Sequence, residues 1–363
     1  MSDGADLERR AHQLAWHLGY FARRRVFVYT DERGLVTDID VVGLKFDITL
    51  EPHLIIFETK SERGFSSIMK LKGLLDYYAS KSAYIIRPNV TPDVVKFAHK
   101  LGVRAMHTSR LDEMEEEARI QSGGWPLTFT TEFDRNFIPL LKILREKGFV
   151  KEVLIRDTFW LEENPFYKAK ILHEAITRLS RARNDVADNQ LRFALACLIL
   201  DLACLFGLSI LEVSSVLYSL PEHQRKTVFR DMLVAGKLSK REKEELLDKF
   251  YTTLTRYAKE VFGTAVSMRK ENFKLVPEYS VDDLYDLVCR YIKKARAAKE
   301  VPRLLDVYLA TYVLGRELNF AEVQKFLSIS EEDFKLSLKF SRDLLTFLFG
   351  EKIPDLCVPL FKE

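Results

Sequence analysis

The sequence predicts an α/β domain over roughly the first third of the chain, followed by an all-α region, and three observations carry that reading. Between Thr37 and Ser61 two apolar runs, Ile39, Val41, Val42 and Leu44, then Leu54 to Phe57, are bounded by Gly43, Asp47 and Pro52 as strands are. The stretches on either side alternate helical and strand-like patterns, as expected of a sheet covered by helices. From Lys168 onward almost everything has helical period.

The elements follow in order. The segment Asp6 to Leu18 sets Leu7, Ala11, Leu14, Ala15 and Leu18 at helical spacing, so one stripe packs on the sheet with Glu8 beside it. Arg23, Arg24 and Arg25 lead into a first strand, VFVYT, and Asp31 to Gly34 turn the chain into the central stretch. Next come a helix from Ser66 to Ala79, the strand AYIIRP, a helix opening at Thr91 and Pro92, and the strand VRAMHT. The acidic run Asp112 to Glu117 closes a helix, and QSGGWP over 121–126 is the clearest linker in the chain. FIPLLKILREKGF reads as a connecting helix. The expected division is an α/β domain over 1–120, a linker and connecting helix over 121–159, and two helical units over 160–270 and 271–363.

At 363 residues the chain can bury more than one core, and 47% hydrophobic with 30% charged residues is the composition of a globular protein. Fifty-six basic against 53 acidic residues leave a net charge of only +3, so any nucleic-acid surface must be a local patch. Cys197, Cys204, Cys289 and Cys357 form no C-x-x-C pair and read as thiols in a reducing cytoplasm. The polar, acidic first ten residues do not have the apolar core of a signal peptide. Phe193 to Leu211 is apolar enough to test against a membrane, but Asp201 at its centre and an interrupting Gly207 favour a buried core helix. His12, His17 and His53 form no ligand-spaced pair and read as surface or half-buried side chains.

The helical part carries a faint internal repeat: LACLFGLSILEVSSVL recurs as LATYVLGRELNFAEVQKFL, each an apolar helix, a Gly-containing turn and a short amphipathic helix. The second copy resembles the cyclin-like repeats of transcription factor IIB. It also fits a helix-turn-helix, with Ala321 to Leu327, a turn at Ser328 to Ser330, and a helix from Glu331. That last helix begins Glu-Glu-Asp, which suits a helix dipole and not a base-reading role.

Three charged groups interrupt the two central strands: Asp40, Glu58 and Lys60. Side chains alternate along a strand, so Glu58 and Lys60 share one face while Thr59 points to the other, and a neighbouring strand brings Asp40 to them. Two carboxylates and an ammonium in a largely buried sheet are costly unless they pair or hold a cation. The choice is between a salt-bridged triad and a divalent metal site.

Asp40 followed by Glu58-Thr59-Lys60 on the next strand, within this succession of elements, resembles the PD-(D/E)XK nuclease superfamily, most closely its Mrr-like and Holliday-junction-resolvase branches. The resemblance implies a restriction-endonuclease-like central mixed sheet flanked by helices, Mg²⁺ (or Mn²⁺) as cofactor and DNA as partner. It implies that Asp40 and Glu58 hold the metal together with Thr59 through its carbonyl, that Lys60 orients the water or the scissile phosphate, and that Glu8 supports a second ion or a metal-bound water. Asp38 shares a strand face with Asp40 and is an alternative or second ligand; the resemblance favours Asp40, because in those families the acid directly precedes the apolar pair that stands here as Val41-Val42. Where RecB-type nucleases carry Gln-x-x-x-Tyr in the following helix, this chain offers Lys70, Lys72, Tyr77 and Tyr78.

Lys70, Lys72, Arg23 and Arg24 are the candidate nucleic-acid contacts, although a solvated turn accounts for the arginine run equally well. The expected function is a cytoplasmic, metal-dependent DNA nuclease whose helical region folds separately and serves targeting, partner binding or homodimerisation. The competing reading is a non-catalytic DNA-binding or scaffold protein associated with transcription or repair.

Overall fold

The computed structural model describes residues 4–30, 34–60, 65–78, 82–117, 127–235, 240–262 and 279–350. A five-stranded mixed sheet, in the order β1-β2-β3-β4-β5, forms the first part. Strands β1 (Phe21–Thr30), β2 (Gly34–Phe46) and β3 (Pro52–Thr59) run antiparallel, while β4 (Ser82–Arg87) and β5 (Val103–His107) run parallel to β3. Parallel neighbours need crossovers, and α2 (Ser66–Tyr78) and α3 (Pro92–Lys100) supply them. Thr91 caps α3 by accepting from the Val94 N–H, as its place before Pro92 suggested.

The period-two pattern of the strands sorts their side chains onto two faces. Val41, Ile55, Phe57 and Ile86 pack against Leu7, Ala11 and Leu14 of α1 (Gly4–His17) and Leu111 of α4 (Thr108–Glu117). Val42, Ile56 and Ile85 face the other way, into a core they share with Ile68, Leu71 and Leu74 of α2. Gly43 permits the close approach of the α1–β1 turn to β2, since a Cβ there would lie 3.1 Å from the Tyr20 Cβ and 3.2 Å from Ile55.

The rest of the described chain is helical: α5 (Thr131–Glu146), α6 (Val150–Thr158), α7 (Pro165–Asp185), α8 (Asn189–Tyr218), α9 (Glu222–Ala235), α10 (Lys240–Phe262), α11 (Val281–Lys293), α12 (Ala295–Ala298), α13 (Val301–Val313), α14 (Phe320–Leu327) and α15 (Glu331–Phe349). The axis is α8, buried continuously from Ala194 to Leu211 and surrounded by α5, α7, α11 and α13. Among the described residues it is the one helix long and apolar enough to cross a membrane, and its most apolar window lies wholly inside the fold.

Two expectations are corrected here. Gly207 does not interrupt α8; the helix runs straight through it, and its missing Cβ faces Pro302 of α13 at 3.5 Å. In the second supposed copy the chain does turn, at Gly315 with φ +63°, so the two segments have different structures and the repeat is not structural. The helix-turn-helix path is present, with Ser328 at φ +55° and Ser330 capping α15, but Phe334, Phe340, Leu344 and Leu345 commit one face of α15 to the core.

The packing also bears on the expected separate folding of the helical region. The expected linker over 121–126 falls outside the described residues, and the packing does not stop there. One continuous core runs from Val42, Ile56 and Ile85 through Phe133 and Phe159 to α8 and Leu305. The two parts differ in secondary structure but bury their apolar faces against each other.

A buried ionic cluster reinforces that junction. From β1, Arg23 donates through Nε and Nη2 to Asp201 Oδ1 of α8 at 3.1 and 2.8 Å, and through Nη1 to Asp306 Oδ1 of α13 at 2.7 Å. Arg156 Nε donates to the second Asp201 oxygen at 2.9 Å, and the Thr128 hydroxyl donates to the second Asp306 oxygen, also at 2.9 Å. Burial pushes the Asp201 carboxyl up, but Arg23 and Arg156 outweigh it and hold the group below the usual carboxylate range. Burial prevails at Asp306, which is raised despite Arg23.

Asp157 of α6, beside this cluster, behaves in the opposite way. Burial pushes its carboxyl up to about 6, against the pull of Arg156 and Arg145, and its Oδ2 is buried with no hydrogen-bond partner. A carboxyl whose folded pKa is raised contributes stability below pH ~4 and loses it as pH rises through ~6. Asp157→Asn is therefore expected to stabilise the fold by up to about 3 kcal/mol at pH ~8 and by almost nothing near pH ~4. Melting curves of both proteins at the two pH values check this; an equal shift at both would remove ionisation as the cause.

Candidate metal centre

Strand register builds the site. Val41 pairs with Phe57 across β2 and β3, and continuing that register by one residue sets Asp40 opposite Glu58 on the same face. Glu58 also pairs with Ile85 of β4, and the Lys60 N–H donates to the Ile86 carbonyl at 3.0 Å, so Glu58-Thr59-Lys60 stays extended at the strand end. Two elements that are otherwise apolar thus deliver two carboxylates and a lysine to one place.

The acids differ in their hydrogen bonds. Asp40 Oδ2 accepts from the Thr59 N–H at 2.6 Å and the Thr59 hydroxyl at 3.0 Å, while Lys60 Nζ stands 3.9 Å away. Glu58 has no exposed side-chain surface; its Oε1 lies 2.9 Å from Lys60 Nζ, and Lys70 Nζ donates to Oε1 and Oε2 at 2.8 and 3.0 Å. Burial raises the Glu58 carboxyl above its ordinary range, the neighbouring Asp40 charge raises it further, and the two lysines only partly oppose this. Burial lowers the Lys60 ammonium, but Glu58 and Asp40 more than compensate and leave it raised. The pair thus draws cationic charge, met here by two ammonium groups.

The other expected residues fall in different places. Asp38 is half exposed and touches only the site's edge, with Lys70 Nζ at 3.4 Å, so Asp40 is the acid that adjoins Glu58. Thr59 reaches the site through its N–H and hydroxyl, both turned to Asp40. Glu8 is held by Arg25, whose Nε donates to its Oε2 at 2.8 Å. Lys70 belongs to the acid pair. Lys72, two residues along α2, points elsewhere and pairs with Asp76 at 2.5 Å.

The arginine run is not a solvated turn; all three residues lie within β1. Arg23 is 6% exposed and spent on Asp201 and Asp306, so it cannot meet a phosphate from solvent. Arg24 is turned inward to Asp134 at 2.6 Å. Arg25, the third residue of the run read as a candidate phosphate contact, is half exposed and pairs with Glu8. It falls at the register position opposite Asp40, in the left-handed region at φ +53°, where a side chain with a Cβ is strained. No sequence signal marks that conformation.

His12 is buried, not half-buried at the surface as expected. His53 joins Asp47 and Glu51 in a group that could hold a metal ion at the β2–β3 turn. Asp47 there already accepts from the Thr49 N–H, the Thr49 hydroxyl and the Glu51 N–H, which accounts for the cluster as turn chemistry. Cys197, Cys204 and Cys289 are free thiols, with burial pushing the first two well up; Cys357 lies outside the described residues.

Comparison with family models, with curated proteins and with solved structures finds no match to this chain.

Proposed function

We propose that the chain is a metal-dependent nuclease that hydrolyses DNA phosphodiester bonds, with Asp40, Glu58 and Lys60 as its working residues. The observation that carries this is the fully buried Glu58 carboxylate beside Asp40, with Lys60 projecting from the same strand end. The similarity of the motif to PD-(D/E)XK nucleases points the same way. The donor set fits Mg²⁺ or Mn²⁺, which take carboxylate oxygens, and burial of Glu58 makes an added cation favourable. A bound divalent ion supplies a water that is nucleophilic at neutral pH and stabilises charge on the phosphorus oxygens.

The chain's own residues do the rest. Thr59 fixes Asp40 through two hydrogen bonds to one oxygen, Oδ2. Lys60, on Glu58 and 39% exposed, reaches solvent and can orient a water or a phosphate oxygen. Lys70 competes with a divalent ion for the Glu58 oxygens and keeps the acid pair compensated when no ion is bound. The helical part braces β1 and, in this reading, also serves targeting or partner binding.

The pairing of both lysines with Glu58 favours a second reading, a DNA-binding or scaffold protein in which the triad is structural. Single-stranded, nicked, branched and methylated DNA incubated with Mg²⁺ or Mn²⁺ separates the two. The nuclease reading expects cleavage of at least one substrate, abolished by chelation and by Asp40→Asn. Binding without cleavage of any of them supports the scaffold.

A further inference from the structure

The expected phosphate contacts are spent on acids of the chain itself: Lys70 on Glu58, Lys72 on Asp76, Arg23 on Asp201 and Asp306, and Arg24 on Asp134. At a net charge of only +3 a nucleic-acid surface must be a local patch, and a patch of the right sign stands elsewhere. Over 290–303 six basic residues face the single acid Glu300, which is buried and taken by Arg303 at 2.6 Å. The run Lys-Lys-Ala-Arg-Ala-Ala-Lys joins α11 to α12. Its alanines, Ala295, Ala297 and Ala298, are buried, while Lys293, Lys294 and Arg296 are exposed. The Ser337 hydroxyl of α15 donates to the Ala297 carbonyl at 2.8 Å and holds α12 in that orientation.

A second element adds to the patch. Arg303 Nη2 donates to the Trp16 carbonyl at 3.0 Å, and Lys45 Nζ of β2 donates to the Leu18 carbonyl at 3.4 Å, so the start of α13 and Lys45 flank the same turn after α1. Lys45 Nζ also lies 4.4 Å from the centroid of the Tyr20 ring. Burial lowers the Lys45 ammonium, and the like charge of Lys299, at the end of α12, lowers it further. Among the described residues Lys45, Lys293, Lys294, Arg296 and Lys299 have no ion-pair partner. The C-terminal dipole of α11 suits Lys293, but it does not account for Lys45, which a strand brings beside Lys299. Like charges gathered without acids are a cost that a bound polyanion removes.

We propose that this surface, from Lys45 across Lys299 and Arg296 to Lys294 and Lys293, binds the phosphate backbone of DNA. Between Lys293 and Lys299 the chain offers only alanines besides its cations, so the patch meets phosphates and does not read bases. An anionic lipid surface fits less well. Asp47 and the exposed Glu51 adjoin Lys45 at the β2–β3 turn, where a broad charged plane would meet them, whereas a strand backbone is a narrow row of charges that follows the cations alone. Along β2, Lys45 lies beyond Asp40 by roughly 17 Å, so the patch anchors DNA away from the acid pair and takes no part in the chemistry there. The proposal rests on DNA as the partner, which both readings of the function share, and not on the metal.

The test is fluorescence anisotropy of a labelled duplex titrated with the full chain in EDTA, where cleavage cannot interfere, over a series of salt concentrations. Each phosphate contact contributes about 0.9 to the slope of log affinity against log salt. Lys293→Ala, Lys294→Ala and Arg296→Ala together are expected to make that slope shallower by roughly two to three and to weaken binding at low salt by roughly tenfold or more. Adding Lys45→Gln and Lys299→Gln should remove roughly one to two more. The same charge change on α10, made by Lys249→Ala, Arg256→Ala and Lys259→Ala, should leave the slope unchanged. The residues of both triple variants are exposed, so their melting temperatures should hold. A wild-type slope in the folded triple variant of the patch, or an equal loss in the α10 variant, overturns the proposal and leaves the reading of DNA as partner standing. Absence of duplex binding by the wild type overturns both. Binding to vesicles of phosphatidylcholine and phosphatidylserine that the patch variant loses, without binding to DNA, assigns the surface to lipid and overturns the proposal.

Discussion

Arg23→Met is expected to abolish the cooperative melt of the whole chain near room temperature. The substitution removes the cation that, among the described residues, Asp201 and Asp306 share, and these acids are 1% and 0% exposed. Breaking a buried pair by deleting one partner costs about 3–5 kcal/mol, and here a cation shared by two carboxylates is removed at once. Arg156 still reaches Asp201, but Asp306 keeps only the Thr128 hydroxyl. Against a typical total stability of about 5–15 kcal/mol, such a loss leaves little margin. Arg23→Lys should recover only part of it, since an ammonium lacks the planar fork that spans both acids. Chemical denaturation of the three proteins decides the matter. A Met variant as stable as the parent would mean that the sheet and the helical part are not joined through this cluster.

The second large effect is expected at Lys60. Its ammonium is 2.9 Å from Glu58 and partly exposed, while Lys70 stays on Glu58 when it is removed. Lys60→Ala should thus fold normally and keep or improve its divalent-metal affinity, because a competing cation has gone. Single-turnover cleavage should fall by roughly 10²-fold or more, the usual loss for a group that positions or activates the attacking water. Some weakening of DNA binding at low salt is also expected from the lost charge. Wild-type turnover in this variant would leave Lys60 with no part in catalysis.

The sheet was legible in the sequence because its strands are apolar, period-two and bounded by turn residues. The crossover helices were legible for the same kind of reason, Thr91-Pro92 being a local start signal. Asp40, Glu58 and Lys60 stood out as charges on apolar strands, and pairing brought them together. What could not be read was set by contacts distant in sequence. Arg23 looked like a surface charge because its partners lie 178 and 283 residues away. Asp201 inside an apolar helix was the visible half of that pair, and a buried acid demands a cation. Gly207 misled for a related reason: within a helix packed on all sides a glycine allows close approach, although in isolation it reads as a turn. The left-handed Arg25 has no sequence signature, since it arises where β1 meets helices placed by the tertiary fold.

The most direct test of the metal centre is calorimetric titration of Mn²⁺ into the wild-type chain and Asp40→Asn, with melting curves confirming that both are folded. Saturable binding by the wild type is predicted, together with a loss of at least roughly tenfold in the variant, because one ligand charge is removed with little change in shape. Absence of binding in the wild type, or equal affinity in the two proteins, would contradict the assignment of Asp40 and Glu58 as a metal site.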